Sequence, residues 1–159
     1  MKEKEIIVLG ADHAGFGVKE YIKKILQKLG YQIEDIGTFT KKIVDYPDYV
    51  KRLAKHIKKG SNKRGIFACG TGIGASIAAN KIPGIYAALV NNVRDARLSR
   101  QHNNANVLVL GGRPYNKKNV KKIVRVWLTT KFQGGRHKRR VSKIIKIEKE
   151  HLGSRNRSL

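Results

Sequence analysis

Five short apolar runs, each separated from the next by a segment of helical period, constrain the fold of this chain more than anything else in it. The runs are Ile6 to Leu9, Gln32 to Ile36, Gly65 to Ala68, Tyr86 to Val90 and Val107 to Leu110. They are too short for buried helices and are mostly bounded by glycine or polar residues, which reads as strands. Between the first two, Val18, Tyr21, Ile22, Ile25, Leu26 and Leu29 recur at helical spacing and stop at Gly30, as an amphipathic helix with a glycine end does. Tyr49 to Ile57 repeats the pattern, and a third helix is expected over Ala75 to Lys81. A fourth runs near Val93 to Gln101, and a fifth covers Lys117 to Leu128 with Ile123, Val124 and Trp127 facing inward. A last helix begins after Gly134-Gly135. Repeated strand–helix units of this kind wind around a parallel sheet, here of five strands.

The chain has 159 residues, 40% of them apolar, enough for one domain with a real core and little room for a second. Residues 1–152 are expected to form that domain and 153–159 a flexible basic tail. A single cysteine excludes an intrachain disulfide and any CxxC-type zinc or redox site, and suits a reducing cytoplasm. The apolar run after the charged N-terminal residues is too short for a signal peptide or a membrane span.

The net charge of +24 invites a nucleic-acid reading, because clustered Lys and Arg release counterions from phosphates. Its distribution argues partly against one. Lys19, Lys23, Lys24 and Lys28, like Lys51 and Lys55, recur on polar helix faces, as on solvated surfaces, and no RNA-binding aromatic signature is present. From Arg113 to Ile147, however, there is no Asp or Glu at all. That segment presents a positive face able to steer anionic ligands, small phosphates included.

In an open α/β sheet, ligands bind outside the carboxyl ends of the strands, and the polar residues of this sequence gather there. Strand one ends in Asp12-His13-Ala14-Gly15, strand three in Cys69-Gly70-Thr71-Gly72-Ile73-Gly74, and strand five in Gly111-Gly112-Arg113. A strand that runs into glycines and then a helix sets the Cys69 thiol beside free N–H groups and a helix N-terminus, which stabilise a thiolate and are expected to lower its pKa. Packing alone also places lone cysteines at strand ends, an Asp before a helix is often a cap, and a single His is often structural. Neither the GxGxxG spacing nor a GK[ST] sequence is present, so nucleotide readings are weak. Arg136 and Arg140, four apart after Gly134-Gly135, share one helix face and offer two guanidinium forks to a phosphate. His102 stands at the end of the fourth helix, where the dipole favours its protonated form.

These segments together resemble the ribose-5-phosphate isomerase B and galactose-6-phosphate isomerase (LacAB) family over nearly the whole chain. The resemblance is carried by Asp12-His13-Ala14-Gly15, Asp45-Tyr46-Pro47, the 69–74 loop with Ala78-Ala79-Asn80-Lys81, Leu98 to Asn103, Asn106-Val107-Leu108, and Gly134-Gly135-Arg136-His137 with Arg140. It implies a three-layer, Rossmann-like fold used without a nucleotide, and an enzyme with no metal or other cofactor. It implies interconversion of ribose 5-phosphate and ribulose 5-phosphate through a cis-enediolate, a step of the pentose phosphate pathway. Six-carbon 6-phosphates, of allose or galactose, are the alternative substrates, and a basic nucleic-acid-binding protein on the same scaffold is the alternative of another class. Cys69 would be the base, with N–H groups of Gly70, Thr71, Gly72, Ile73 and Gly74 on the enediolate oxygen. Thr71 and His102 would assist ring opening; Asp12, Tyr46 and Asn103 would hold the sugar. His13, Arg113, Arg136 and Arg140 would hold the phosphate, and Phe39, Thr40 and Lys41 could set the pocket's depth. A homodimer is implied, or a dimer of such dimers, with the His102-Asn103 and Arg113 region crossing between subunits.

Overall fold

The computed structural model describes residues 5–57 and 61–155. Its elements in chain order are β1 (Ile6–Ala11), α1 (Phe16–Lys28), β2 (Gln32–Asp35), α2 (Tyr46–His56), β3 (Lys63–Cys69), α3 (Ile73–Asn80), β4 (Ala87–Leu89), α4 (Val93–Gln101), β5 (Val107–Gly111), α5 (Lys117–Thr129) and α6 (Arg136–Arg155). The five strands pair in parallel in the order β2-β1-β3-β5-β4, so the parallel sheet expected from the alternation and the three-layer, Rossmann-like α/β architecture implied by the resemblance are both observed.

The central strands are buried on both faces, and their period-2 alternation sorts side chains into two cores. Ile7, Leu9, Ile66, Ala68, Leu108 and Leu110 face α1 and α5, where Ile22, Leu26, Ile123, Val124 and Trp127 meet them. Val8, Phe67, Cys69, Val107 and Val109 face α2 and α3, packing on Val50, Leu53, Ala75 and Ala79. Cys69 therefore closes the second core at the carboxyl end of a central strand.

Two helices begin earlier than apolar periodicity suggested. α2 starts at Tyr46 because Asp45 holds an extended N-cap conformation and Pro47, with its fixed φ, occupies the first turn. α3 starts at Ile73 directly after Gly72, whose φ of 82° lies in the left-handed region that glycine adopts without strain. At the other end of the chain α6 continues through Arg155, three residues beyond the expected boundary at 152. The remainder of the tail, 156–159, lies outside the described residues.

α6 is tied to the body by Glu148, which accepts hydrogen bonds from Gly84 N–H (2.9 Å) and Tyr86 Oη (3.4 Å). Both partners precede β4, so α6 lies beside the amino ends of the strands. Ile144 and Ile147 on it remain substantially exposed. No described helix is long and apolar enough to cross a membrane.

Candidate active site

Three loops converge where β1, β3 and β5 end, and they do so without intervening side chains. A β-carbon built on Gly15 would lie 2.0 Å from Ala68 O, and one on Gly112 would lie 2.8 Å from Ala14 O. Only glycine permits this backbone contact. Gly112 N–H donates to Cys69 O at 2.7 Å, and Arg113 N–H to Gly70 O at 3.1 Å. The effect is to bring Asp12, Cys69 and Arg113 to one rim.

Cys69 itself is 5% exposed. Backbone N–H groups of Gly72, Ala75 and Thr71 point at its sulfur and favour the thiolate. Burial opposes them and is the larger effect; with the nearby Asp12 carboxylate it pushes the thiol above its ordinary value. The expected lowering by the glycine loop is thus outweighed in this chain. The loop also differs in its use. N–H groups of Thr71 and Gly72, expected on a substrate oxygen, are turned onto the sulfur, and that of Ile73 is taken by Thr71 Oγ1 at 3.2 Å.

Asp12 is buried and accepts a 2.8 Å hydrogen bond from Gly15 N–H, closing the β1–α1 turn. His13 sets Nδ1 against the Val44 peptide, 3.2 Å from its carbonyl oxygen and 3.3 Å from its nitrogen. The Tyr46 ring lies directly over Gly74, where an added β-carbon would sit 2.5 Å from both Cζ and Oη. The segment between β2 and α2 forms the remaining wall. Gly37 and Thr38 exchange backbone hydrogen bonds with Ala11 at 2.8 and 2.9 Å, and Phe39 stands 64% exposed above them.

This wall is anchored by a group that sequence reading had left on a solvated helix face. Lys19 is completely buried, and its ammonium donates to both Asp35 oxygens at 2.9 and 2.7 Å and to Glu20 at 2.8 Å. Asp35 also accepts from Lys23 and from Gly37 N–H. These bonds outweigh burial and hold its carboxyl below the ordinary value.

The rest of the expected site lies at the opposite end of the sheet. His102 is the last turn of α4, which runs back from β4 to the amino end of β5, and its ring stacks on His137 at 4.1 Å with an interplanar angle of 6°. Asn103 follows it, and Arg136 and Arg140 occupy the first turns of α6 beside His137. Burial, His102 and the two arginines lower the His137 pKa. β3 alone spans seven residues, so this cluster is separated from Cys69 by roughly 20 Å, the rise of one strand. His102 and Asn103, expected to act across a subunit boundary, lie with Arg136 and Arg140 away from Cys69 within one chain, because α4 and α6 both deliver them to the amino ends of the strands. One expectation changes. Arg113 does not travel with them, because it follows the carboxyl end of β5. His137, which adjoins Arg136, was not among the expected site residues.

A cavity of about 620 Å³ lies away from the thiol, between α6 and the amino ends of the strands, lined by Arg64, Arg100, Asn106, Tyr86 and Glu148 among others. Among the described residues no three His, Cys, Asp or Glu side chains gather as metal ligands.

Strand order reverses between β1 and β3, and Cys69 sits at that switch point, the place where open parallel sheets take small ligands. The molecule is thus an α/β protein with a buried thiol at the switch point of its parallel sheet. It belongs to the ribose/galactose isomerase family, whose model matches residues 7–144. It is 43% identical over 142 residues to ribose-5-phosphate isomerase B of Escherichia coli, covering 89% of this chain and 95% of that protein. The ribose-5-phosphate isomerase B structure from Clostridium thermocellum superposes with a TM-score of 0.88 at 48% identity, covering 92% and 99%. That from Mycoplasma genitalium, solved with bound ribulose-5-phosphate, gives 0.86 at 42% identity, covering 91% and 97%.

Proposed function

We propose that the chain is a type B ribose-5-phosphate isomerase, interconverting ribose 5-phosphate and ribulose 5-phosphate. The observation that carries the reading is the buried Cys69 thiol at the switch point, with three N–H groups on its sulfur, in a chain alike over nearly its full length to isomerases of that name. After ring opening, the thiolate takes the proton from C2; the electron pair forms the C1–C2 double bond and O1 becomes the enediolate oxygen. Transfer of the O2 hydroxyl proton to O1, and return of the carbon-bound proton to C1 with collapse of O2 to a carbonyl, give the ketose. One base serves both transfers at carbon. Asp12 and Tyr46 hold sugar hydroxyls, and His13 with Arg113 begins the phosphate site. Proton transfers among thiol, imidazole and hydroxyls need no metal.

The reading requires a second subunit. His102, Asn103, Arg136 and Arg140 serve this chemistry only if a partner's amino-end cluster meets the Cys69 rim, and a two-fold homodimer supplies two such sites. The partner's cations would also oppose the burial that raises the thiol pKa. A catalytic thiol must stay reduced, which favours the cytoplasm.

Purified protein given ribose 5-phosphate in the presence of a chelator is expected to form ribulose 5-phosphate, and Cys69→Ala to abolish turnover with the fold retained. Full activity in the variant would remove Cys69 as the base. Parallel assays on allose 6-phosphate and galactose 6-phosphate decide substrate length; faster turnover there would replace the five-carbon assignment.

A further inference from the structure

The excess of positive charge has no role in the isomerase chemistry beyond a few arginines, and part of it is organised. On the face of the sheet away from α2 and α3, α1 and α5 lie side by side with a groove of about 150 Å³ between them, lined by Tyr21, Lys24, Ile25, Lys28, Leu29, Lys121 and Arg125. Lys24 and Lys28 are four residues apart on α1, and Lys121 and Arg125 four apart on α5, so each pair projects from successive turns about 6 Å apart. Lys117, one turn before Lys121, sits 5.8 Å over the Tyr21 ring. The groove thus has a row of cations on each bank, an apolar floor and an aromatic ring at one end.

None of Lys24, Lys28, Lys121 and Arg125 makes an ion pair among the described residues. Glu20, the one carboxylate on α1, is held by Lys19, and α5 has none, since it lies in the stretch from Arg113 to Ile147 that lacks Asp and Glu. Four unneutralised cations this close repel one another, and no carboxylate among the described residues pairs with them.

We propose that the α1–α5 groove binds the phosphate backbone of single-stranded nucleic acid, as a function separate from the isomerase site. The groove is too small to enclose a small-molecule ligand, for which pockets of about 300 Å³ or more are usual, but two rows of cations suit a chain of phosphates lying along it. Tyr21, its ring covered by Lys117, gives the groove an aromatic edge rather than an open stacking surface. A membrane surface fits less well. The large exposed apolar side chains, Phe39, Ile43, Ile73, Ile77, Ile144 and Ile147, all lie off this face, so it has nothing to insert among acyl chains. A second copy of the same face is excluded by like charge.

The test is fluorescence anisotropy of a labelled 20-nucleotide single-stranded RNA titrated with full-length protein at several salt concentrations, beside co-sedimentation with phosphatidylserine vesicles. Lys24→Gln, Lys28→Gln, Lys121→Gln and Arg125→Gln are combined in one variant. A control removes four charges elsewhere, with Lys42→Gln, Lys51→Gln, Lys55→Gln and Lys81→Gln, so that the net charge is equal. The groove variant is expected to bind at least tenfold more weakly than wild type at low salt. Its log–log salt slope should be shallower by about 3, since each lost contact to a single strand removes about 0.7. The control should lose less than threefold, and isomerase turnover of the groove variant should be unchanged. Equal losses in groove and control variants, binding to vesicles but not RNA, or no salt-dependent RNA binding by wild type would each overturn the proposal.

Discussion

If the active site is divided between subunits, two inactive variants should repair one another. The structure sets the geometry: Cys69 ends β3, whereas His102 lies beyond its start, and the seven residues of that strand separate them by about 20 Å. A general acid must come within about 3 Å of its proton acceptor, or reach it through one water, so the two cannot serve the same substrate in one chain. Take Cys69→Ala and His102→Ala, each expected to be nearly inactive alone, and reassort them by co-refolding at equal concentration. Random pairing gives half heterodimers. In a two-fold dimer each heterodimer has one site with both residues native and one with neither, so recovered activity should be about one quarter of wild type. A control pairing of Cys69→Ala with Thr71→Ala, both at the same end of the sheet, should recover nothing. Failure of the first pair to recover activity, with mixed dimers verified by mass spectrometry, would refute a shared site; recovery in the control pair would refute the two-end division.

Three further outcomes follow from the same geometry. Gly74→Ala forces a β-carbon against the Tyr46 ring at 2.5 Å, and overpacking of this kind costs about 1–3 kcal/mol; KM should rise as the phenol is displaced, which steady-state kinetics with a thermal melt would detect, and an unchanged KM would clear Tyr46 of a substrate role. Burial raises the Cys69 pKa, so the thiolate accumulates only as pH rises through that raised value. Thiolate absorbance of this single-cysteine chain should show the rise most clearly in an Arg136→Gln, Arg140→Gln double variant, and an identical titration in wild type would mean that no cationic partner cluster reaches the sulfur. Asp35→Asn leaves the fully buried Lys19 with only Glu20, and breaking such a pair costs about 3–5 kcal/mol, measurable by urea denaturation. Because the Asp35 pKa is lowered on folding, its contribution is present above the unfolded carboxyl value near pH 4 and disappears as pH falls through the folded one.

The fold was legible because burial on both faces leaves continuous apolar strands, and Ile6 to Leu9 or Val107 to Leu110 have no competing interpretation. Boundaries moved where geometry rather than hydropathy decides, at Asp45-Tyr46-Pro47 and at Gly72. The placement of Asp12, Cys69 and Arg113 at the carboxyl ends of the strands was legible for a related reason, since each ends an apolar run. What escaped was set by tertiary contact. Lys19 looked like any helix lysine; only the approach of Asp35 from β2, sixteen residues on, explains how an ammonium is buried there. His137 stood next to Arg136, but its ring stack comes from another helix. The sign of the Cys69 shift could not come from the loop sequence, because N–H groups that favour the thiolate are visible there and the burial that opposes them is not.

That opposition has a functional consequence. A thiol with three N–H groups already on its sulfur, yet raised in pKa by burial and by Asp12, would be favoured as a base by added positive charge. The chain carries that charge one strand length away, where it cannot act on its own sulfur, in Arg136 and Arg140 beside a His102–His137 stack. If a two-fold dimer brings a partner's cations to the thiol, thiolate formation depends on assembly. An isolated chain would then hold an inert cysteine, resistant to the oxidation that follows thiolate character. A dilution series reading iodoacetamide reactivity of Cys69 against dimer fraction distinguishes this from a thiol set by its own loop: reactivity should fall as dimers dissociate, and a rate independent of assembly would place the whole of the activation in residues 69–75.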